Sequence, residues 1–372
     1  MRKPLLSFLL AAAACTGLHA GELVIGDVGP LSGPLGPNGL ANYEGSKSCV
    51  DELNAAGGIA GNTLKLVRED DQYKPDETMR LLRQIAKNEK PIAFVNLLGS
   101  ASVSAVLKEK MLDELKVPVV GVTPGADAFR SPGNPWLFHT HATDNAQLRR
   151  ILSHLKTIGM ERIAVVYQDL PFGLGGMKFI DEQAPVLKLT IAGRVAAPAG
   201  AEDLSTQSAQ LRKAGAQAYV MVLAPNSGAS FVRDVRKGGD TTPLYGMSYV
   251  EVKNIISKAG AENSVGVGLA QVTPNTFSAS SGLVRQFHAA MDKSAPAGTP
   301  HSQLHLIGYL NCRVLAEGLK LAGGSPTPEK LQTALRKVRL DLGGYFLDFA
   351  GTNEASKYVD IGVVTKDGRL MY

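Results

Sequence analysis

Two hydrophobic periods alternate along the chain. Short apolar or alternating runs, the pattern of strands, are each followed by a stretch in which apolar residues return every three or four positions, the pattern of a helix lying on a sheet. Residues 23–28 read as a strand and 39–55 as a helix stopped by Ala56-Gly57-Gly58. A strand over 63–68, a helix from Pro75 to about Asn88, a strand over 92–96, a helix over 102–115 and a strand over 117–122 follow. The cycle then restarts. Helices are expected at 145–158, 173–187, 204–214, 227–238 and 252–259, and strands at 162–167, 191–195, 218–223, 244–249 and 266–271. This is the grammar of α/β units, in which right-handed crossovers build a parallel sheet covered by helices.

After Thr273-Pro274-Asn275 the grammar changes. Helices are expected over 281–293, 302–321 and 328–337, then Gly343-Gly344 precedes a short apolar run at 345–349. A last hairpin over 358–364 and 369–372 is expected to turn at Lys366-Asp367-Gly368.

Length and composition fit this picture. The 372 residues suggest two domains, and 44% hydrophobic residues supply two cores. The net charge is +5, and no basic block with interleaved aromatics is present, which argues against nucleic acid. Arg2 and Lys3, an apolar run over 5–15 and the small Ala20 before Gly21 read as an export signal over 1–20, cleaved after Ala20. Its removal takes two cations away and leaves +3. The Ala-Ala-Ala-Cys stretch ending at Cys15 loosely resembles a lipoprotein box, with Ala12 where a large apolar residue is usual; lipidation is the lesser expectation. Export permits a disulfide between the remaining Cys49 and Cys312, but sequence does not show that they meet, and two buried free thiols are expected.

The opening loop, LVIGDVGPLSGPLGPNG from Leu23, poses the first chemical question. It has neither G-x-x-x-x-G-K-[ST] nor G-x-G-x-x-G, and its prolines remove N–H donors that a phosphate would need. What remains is a turn between the carboxyl end of a strand and the amino end of a helix, a place suited to a carboxylate. Gly99-Ser100-Ala101-Ser102 and Thr123-Pro124-Gly125-Ala126 are two further small-residue clusters after strands, and all three loops should converge on one sheet edge. The signatures G-x-S-x-G, H-E-x-x-H and C-x-x-C are missing. His139 with His141 and His301 with His305 have ligand-like spacings without an evident acid partner, so no metal and no cofactor are expected.

The stretches IGDVGPLSGP from Ile25, VDELNAAGGIAG from Val50 and LVREDDQ from Leu66 resemble the leucine/isoleucine/valine-binding-protein family, the periplasmic solute receptors of ATP-binding-cassette importers. The resemblance runs in order along nearly the whole chain after residue 20. It implies an α/β fold of two doubly wound parallel-sheet lobes, with three hinge crossovers near 142–144, 272–274 and 343–346. Lobe one would comprise 21–143 and 273–343, and lobe two 144–272 and 344–372. A ligand would be trapped between the lobes by hinge closure. The family's carboxylate serine falls on Ser100, beside Ala101 and Ser102; the next contacts fall on Thr123 and Gly125, the latter lacking a hydroxyl. Aromatic walls fall on Phe172 and on Asn38, which is not aromatic, and a lobe-two tyrosine falls near Ala224. The acid that pairs with a ligand ammonium falls at about Ser248, flanked by Tyr249 and Glu251. An enclosed ammonium without an acid costs several kcal/mol, so the resemblance carries two ligand classes: branched-chain amino acids, with Glu251 as anchor, or carboxylates, aromatic acids and amides without an α-amino group. The implied protein is a monomeric periplasmic receptor, not an enzyme, that serves a membrane permease. A sensory receptor of the same fold is the alternative, and a cofactor-using α/β enzyme a more distant one.

Overall fold

The computed structural model describes residues 21–33, 35–278 and 280–372. The expected leader, 1–20, and Cys15 lie outside the described residues.

The chain opens with β1 (Gly21–Gly29), α1 (Gly36–Ala55), β2 (Asn62–Asp70), α2 (Pro75–Asn88), β3 (Ala93–Leu97), α3 (Ser100–Lys108), α4 (Met111–Leu115), β4 (Val119–Val122) and β5 (Leu137–Phe138). These strands form one parallel sheet in the order β2-β1-β3-β4-β5. Alternate side chains serve opposite layers, as a pleated strand requires. Val95 and Val120 face one core, and Phe94 and Val119 the other. The helix expected over 102–115 is broken, because Lys110 adopts a left-handed backbone (φ 52°) that ends α3 and caps α4. Helix α1 starts earlier than expected: Pro37 occupies its first turn, where a missing N–H leaves no bond unmade.

The second unit contains α5 (Asp144–Thr157), β6 (Arg162–Gln168), α6 (Pro171–Val186), β7 (Thr190–Ala197), α7 (Ser205–Arg212), β8 (Ala218–Val222), α8 (Pro225–Lys237), β9 (Leu244–Gly246), α9 (Val252–Ala259), α10 (Ala261–Ser264) and β10 (Gly268–Gln271). The chain then forms α11 (Gly282–Ser294), α12 (Gln303–Ala322), α13 (Pro328–Leu335), a hairpin of β11 (Arg339–Asp341) and β12 (Phe346–Asp348), and finally β13 (Asp360–Val364) and β14 (Leu370–Met371). The second sheet runs β14-β13-β10-β9-β8-β6-β7. Its first five strands in sequence are parallel, and the closing β13–β14 hairpin joins β10 antiparallel. Ala164 and Val166 face one of its cores, and Val165 and Val220 the other. The architecture is two α/β lobes, each built on a parallel sheet with helices on both faces.

Helices α11 to α13 return to the first lobe, where Phe287, Leu306, Leu315 and Leu331 share a core with Ile25 and Val95. The third return falls later than the expected 343–346. Tyr345, Leu347, Phe349 and Ala355 are all buried in the first core. The Ala355 N–H donates to the His139 carbonyl and the His139 N–H to that of Asn353, both at 2.8 Å, so this segment lies beside β5. Gly343 and Gly344 form the β11–β12 turn, their N–H groups donating to Asp341. The chain crosses between Ala355 and Asp360 instead.

Helices α1 and α12 touch backbone to backbone. A Cβ on Gly45 would lie 1.9 Å from the His305 carbonyl oxygen, and one on Gly308 the same distance from that of Asn42. One turn further along both helices, Cys49 and Cys312 are joined by a disulfide, Cα atoms 6.1 Å apart. The expectation of two free thiols is therefore corrected. Spacing in sequence, 263 residues, carried no information about a contact made by a chain that leaves the first lobe and comes back.

Candidate functional site

A cavity of about 410 Å³ lies between the lobes. The first lobe lines it with Leu35, Asn38, Tyr73, Ser100, Thr123 and Pro124, and the second with Leu170, Phe172, Glu202, Ala224, Asn226 and Tyr249. All the first-lobe contributors follow carboxyl ends of parallel strands, where crossover loops and helix starts meet. The wall is mostly apolar, with three aromatic rings. Phe172 and Tyr249 pack edge to face, centroids 6.2 Å apart.

Helix starts surround the cavity. Ser100 is the first residue of α3, Leu35 precedes α1, Leu170 precedes α6 and Ala224 precedes α8. The first N–H groups of a helix have no partner within it and carry the positive end of its dipole. Pro37, Pro171 and Pro225 donate nothing, so α3, with serine at its start and no proline, is the richest donor among these four. Gly99 holds the approach to α3 with φ 101°, and a Cβ there would meet the Tyr73 ring at 2.7 Å.

Behind Thr123 runs a buried polar chain. Asn42 Nδ2 donates to the Thr123 hydroxyl at 2.9 Å. Asn96 Nδ2 lies 2.8 Å from Asp27 Oδ2 and 2.9 Å from the Ser46 hydroxyl, and Asn311 Nδ2 donates to Asn96 Oδ1 at 2.8 Å. Asp27 also pairs with Arg68, whose Nη2 donates to the Pro30 carbonyl at 3.2 Å. Burial holds the Asp27 carboxyl above its ordinary range, though Arg68 and Asn96 oppose the shift. The opening loop is tied down by Asp70, which accepts from the Leu31 N–H and the Ser32 hydroxyl, both at 2.8 Å.

Six sequence-derived candidates line the cavity: Asn38, Ser100, Thr123, Phe172, Ala224 and Tyr249. Four do not. Ala101 is exposed on α3. Ser102 is buried against Thr78, hydroxyls 2.8 Å apart. Gly125 lies against Asp144, where a Cβ would come within 2.2 Å of Oδ1. Ser248 is held by its backbone, its N–H donating to Gln147 at 3.0 Å and its carbonyl accepting from Gln303 at 3.2 Å; with Glu251 it lines a separate crevice of about 400 Å³. Among the described residues, Glu202 supplies the one carboxylate on the wall; its side chain is 71% exposed and lies 3.4 Å from Lys258.

Tyr73, Leu35, Leu170 and Glu202 were missed. Tyr73 had a signal: it follows β2, a neighbour of β1, so its loop opens on the same sheet edge. The rest, and Asn226 with them, sit in loops and at helix starts where no periodicity operates.

The histidine pairs are placed differently from one another. His139 and His141 are buried beside Arg130, on the first crossing between lobes. Burial and that guanidinium lower His139 to about 2 and His141 to about 4. His301 meets Asp292 of the preceding helix α11 and His305 meets Glu44 of α1, each at 3.0 Å, so both members of this pair have acid partners. Among the described residues no three His, Cys, Asp or Glu side chains converge as a metal site, and no helix is long and apolar enough to cross a membrane.

A model of the periplasmic binding protein family matches residues 22–369. Leu/Ile/Val-binding protein homolog 8 of Brucella suis is 24% identical over 386 residues, covering 98% of this chain and 93% of that protein. Among solved structures, an extracellular ligand-binding receptor from Verminephrobacter eiseniae is 33% identical, with a TM-score of 0.89, covering 95% of this chain and all of that one (100%). A substrate-binding periplasmic protein from Ralstonia solanacearum is 29% identical, with a TM-score of 0.88, covering 94% and 99%.

Proposed function

The chain belongs to the periplasmic binding protein family, and on that premise we propose that it captures a small carboxylate-bearing solute between its lobes and presents it to the permease of an ATP-binding-cassette importer. Members of this family are solute-binding proteins of the periplasm. In this reading the chain is exported by its first twenty residues, acts as a monomer and performs no covalent chemistry.

The observation that carries the reading is the convergence of helix starts, above all α3 at Ser100, on an aromatic-walled cavity beside the Thr123 hydroxyl. Positive helix ends and hydroxyl donors suit an anion. The Asn42 amide already occupies an acceptor site of Thr123, which leaves the Thr123 proton free to point at a ligand oxygen. Leu35, Phe172 and Tyr249 would enclose an apolar body.

The ligand is further proposed to lack an α-amino group. Ser248 and Glu251 face the other crevice, and Glu202 is exposed and ion-paired. A buried ammonium would then have no dedicated counter-charge, at a cost of several kcal/mol.

Thermal melting against amino acids and matched amine-free acids tests both statements. A ligand at 100 times its dissociation constant adds about 2.7 kcal/mol of apparent stability. Stabilisation by amine-free acids alone supports the reading; stabilisation by leucine-like amino acids alone overturns its second part, and by neither class its first.

A further inference from the structure

Tyr249 reaches the cavity with its hydroxyl already engaged: it donates to Oδ1 of Asp144. Asp144 is buried at the start of α5, its backbone N–H donating to the Gly125 carbonyl at 2.8 Å. Its carboxylate rests against Gly125 at the place where any side chain on residue 125 would project. Gly125 is two residues beyond Thr123. The Tyr249 side chain lines the cavity while its oxygen is anchored at Asp144 beside Gly125, at the margin of the cavity next to the Thr123 segment, where the ligand carboxylate is proposed to lie. A phenol has one proton. With that proton given to Asp144, the oxygen has only lone pairs left to offer a ligand.

We propose that Asp144 is a positioning residue that commits the Tyr249 proton, so that Tyr249 meets the ligand as a hydrogen-bond acceptor, and that the preferred ligand is a hydroxy acid with a donating hydroxyl close to its carboxylate. The inference rests on the carboxylate reading above and narrows it. Thr123 and the start of α3 donate to the carboxylate; Tyr249 accepts from the neighbouring hydroxyl. A deoxy acid leaves the Tyr249 oxygen facing apolar surface without a partner, and a site built around a polar contact rejects such an analogue strongly.

The surroundings of Asp144 favour a hydroxyl over an ammonium. Arg130 and Asp127, from the segment after β4, face it with Tyr249, and His141 lies beside Arg130 on the crossing, its carbonyl accepting from Nη1 at 2.8 Å. Burial raises Asp144 to about 7, Arg130 opposing and Asp127 reinforcing the shift. Near neutrality its charge is thus partial, and Arg130 shares what there is. A hydroxyl needs only the acceptor, whereas an ammonium needs a full counter-charge. His141, lowered to about 4, stays neutral over the same range. As pH falls through about 7, Asp144 gains its own proton and stops claiming that of Tyr249, so the preference for a donating ligand weakens.

The test uses two matched sets of acids: 4-methylpentanoate, 2-hydroxy-4-methylpentanoate and leucine; 3-phenylpropanoate, 3-phenyllactate and phenylalanine. Each is titrated calorimetrically into the exported chain at pH 6 and pH 8. The expected result in at least one set is a hydroxy acid bound about tenfold or more tighter than its deoxy partner at pH 8, the scale of an unmade buried hydrogen bond, with a smaller gap at pH 6. Tyr249→Phe is expected to close the gap. Asp144→Asn, checked for folding by circular dichroism, is expected to remove the pH dependence of the gap. Equal binding of hydroxy and deoxy acids, a gap that survives in Tyr249→Phe, or tightest binding by the amino acid overturns the inference and leaves the carboxylate site standing. Binding by none of the six overturns the carboxylate reading itself.

Discussion

Asn42, buried on α1, donates its side-chain amide to the Thr123 hydroxyl at 2.9 Å across the top of the first sheet. The bond fixes which way the hydroxyl proton can turn, and so makes Thr123 a directed donor. Thr123→Val should weaken the ligand about 10- to 100-fold, the cost of about 1–3 kcal/mol for a lost partner to a charged group. Thr123→Ser should keep most of the affinity. Calorimetric titration of both variants with one ligand checks this, and equal losses in the two would remove the hydroxyl from the argument.

The α1–α12 seam predicts a contrast among glycines. Gly45→Ala and Gly308→Ala each force a methyl into a backbone carbonyl on the facing helix. Backbone cannot swing aside as a side chain can, so each should cost about 1–3 kcal/mol or more. Gly175→Ala, on α6 with open space where its Cβ would be, should be neutral or gain up to about 1 kcal/mol from helix propensity. Urea melts of the three variants decide it.

Reduction of Cys49–Cys312 should lower stability by about 2–5 kcal/mol. Both sulfurs are buried, so a reductant should act slowly on the folded chain and quickly once it unfolds. Ligand affinity should change little, because both cysteines belong to one lobe. Melting with and without reductant, beside a titration of the reduced protein, tests the two halves separately.

Acid should destabilise the protein through its first crossing segment. His139 and His141 are buried and neutral, with pKa values lowered to about 2 and about 4. The unfolded chain binds their protons below about 6.5 and the folded chain does not, so each histidine removes about 1.4 kcal/mol per pH unit as pH falls below that point. Asp144 acts the other way: raised to about 7, it holds a proton in the folded state that the unfolded chain has released above about 4. Between about pH 4.5 and 6, these three groups alone contribute two losses and one gain, roughly one proton's slope of acid destabilisation. Asp144→Asn should steepen that slope and His141→Gln should flatten it. Stability measured at half-unit pH intervals gives the answer directly, and unchanged slopes in both variants would contradict the assignment.

Much of the architecture was legible because strands and helices leave different periods. The buried runs at Ala93–Leu97 and Ala218–Val222 are short, apolar and bounded by turn residues. Strand β5 escaped because two residues cannot show a period. The late third return escaped for a different reason: Gly343-Gly344 look alike in a hinge and in a hairpin turn, and only the burial of Tyr345 and Phe349 in the first core separates the two. The places of Ser100 and Thr123 on the cavity wall were legible because strand ends announce where their loops must open. Ser248 and Ser102 were misplaced because facing the cavity or the interior depends on one residue of register within a loop or a helix turn. The Asp144–Tyr249 bond joins positions 105 residues apart, and no local pattern encodes it.

The return of α11 to α13 to the first lobe has a consequence for how the chain is made. Strands β6 to β10 come from one unbroken stretch, 162–271, so most of the second sheet can assemble while residues beyond it are still being synthesised. The first core has to wait. Its α1 face stays bare until Leu306, Leu315, Leu331 and Phe349 have emerged, and the thiol of Cys49 stays open to mispairing until Cys312 arrives. The lobe that begins the chain therefore keeps its core incomplete until Phe349 and Ala355 have emerged, and until then its exposed apolar face is the segment most in need of protection from aggregation.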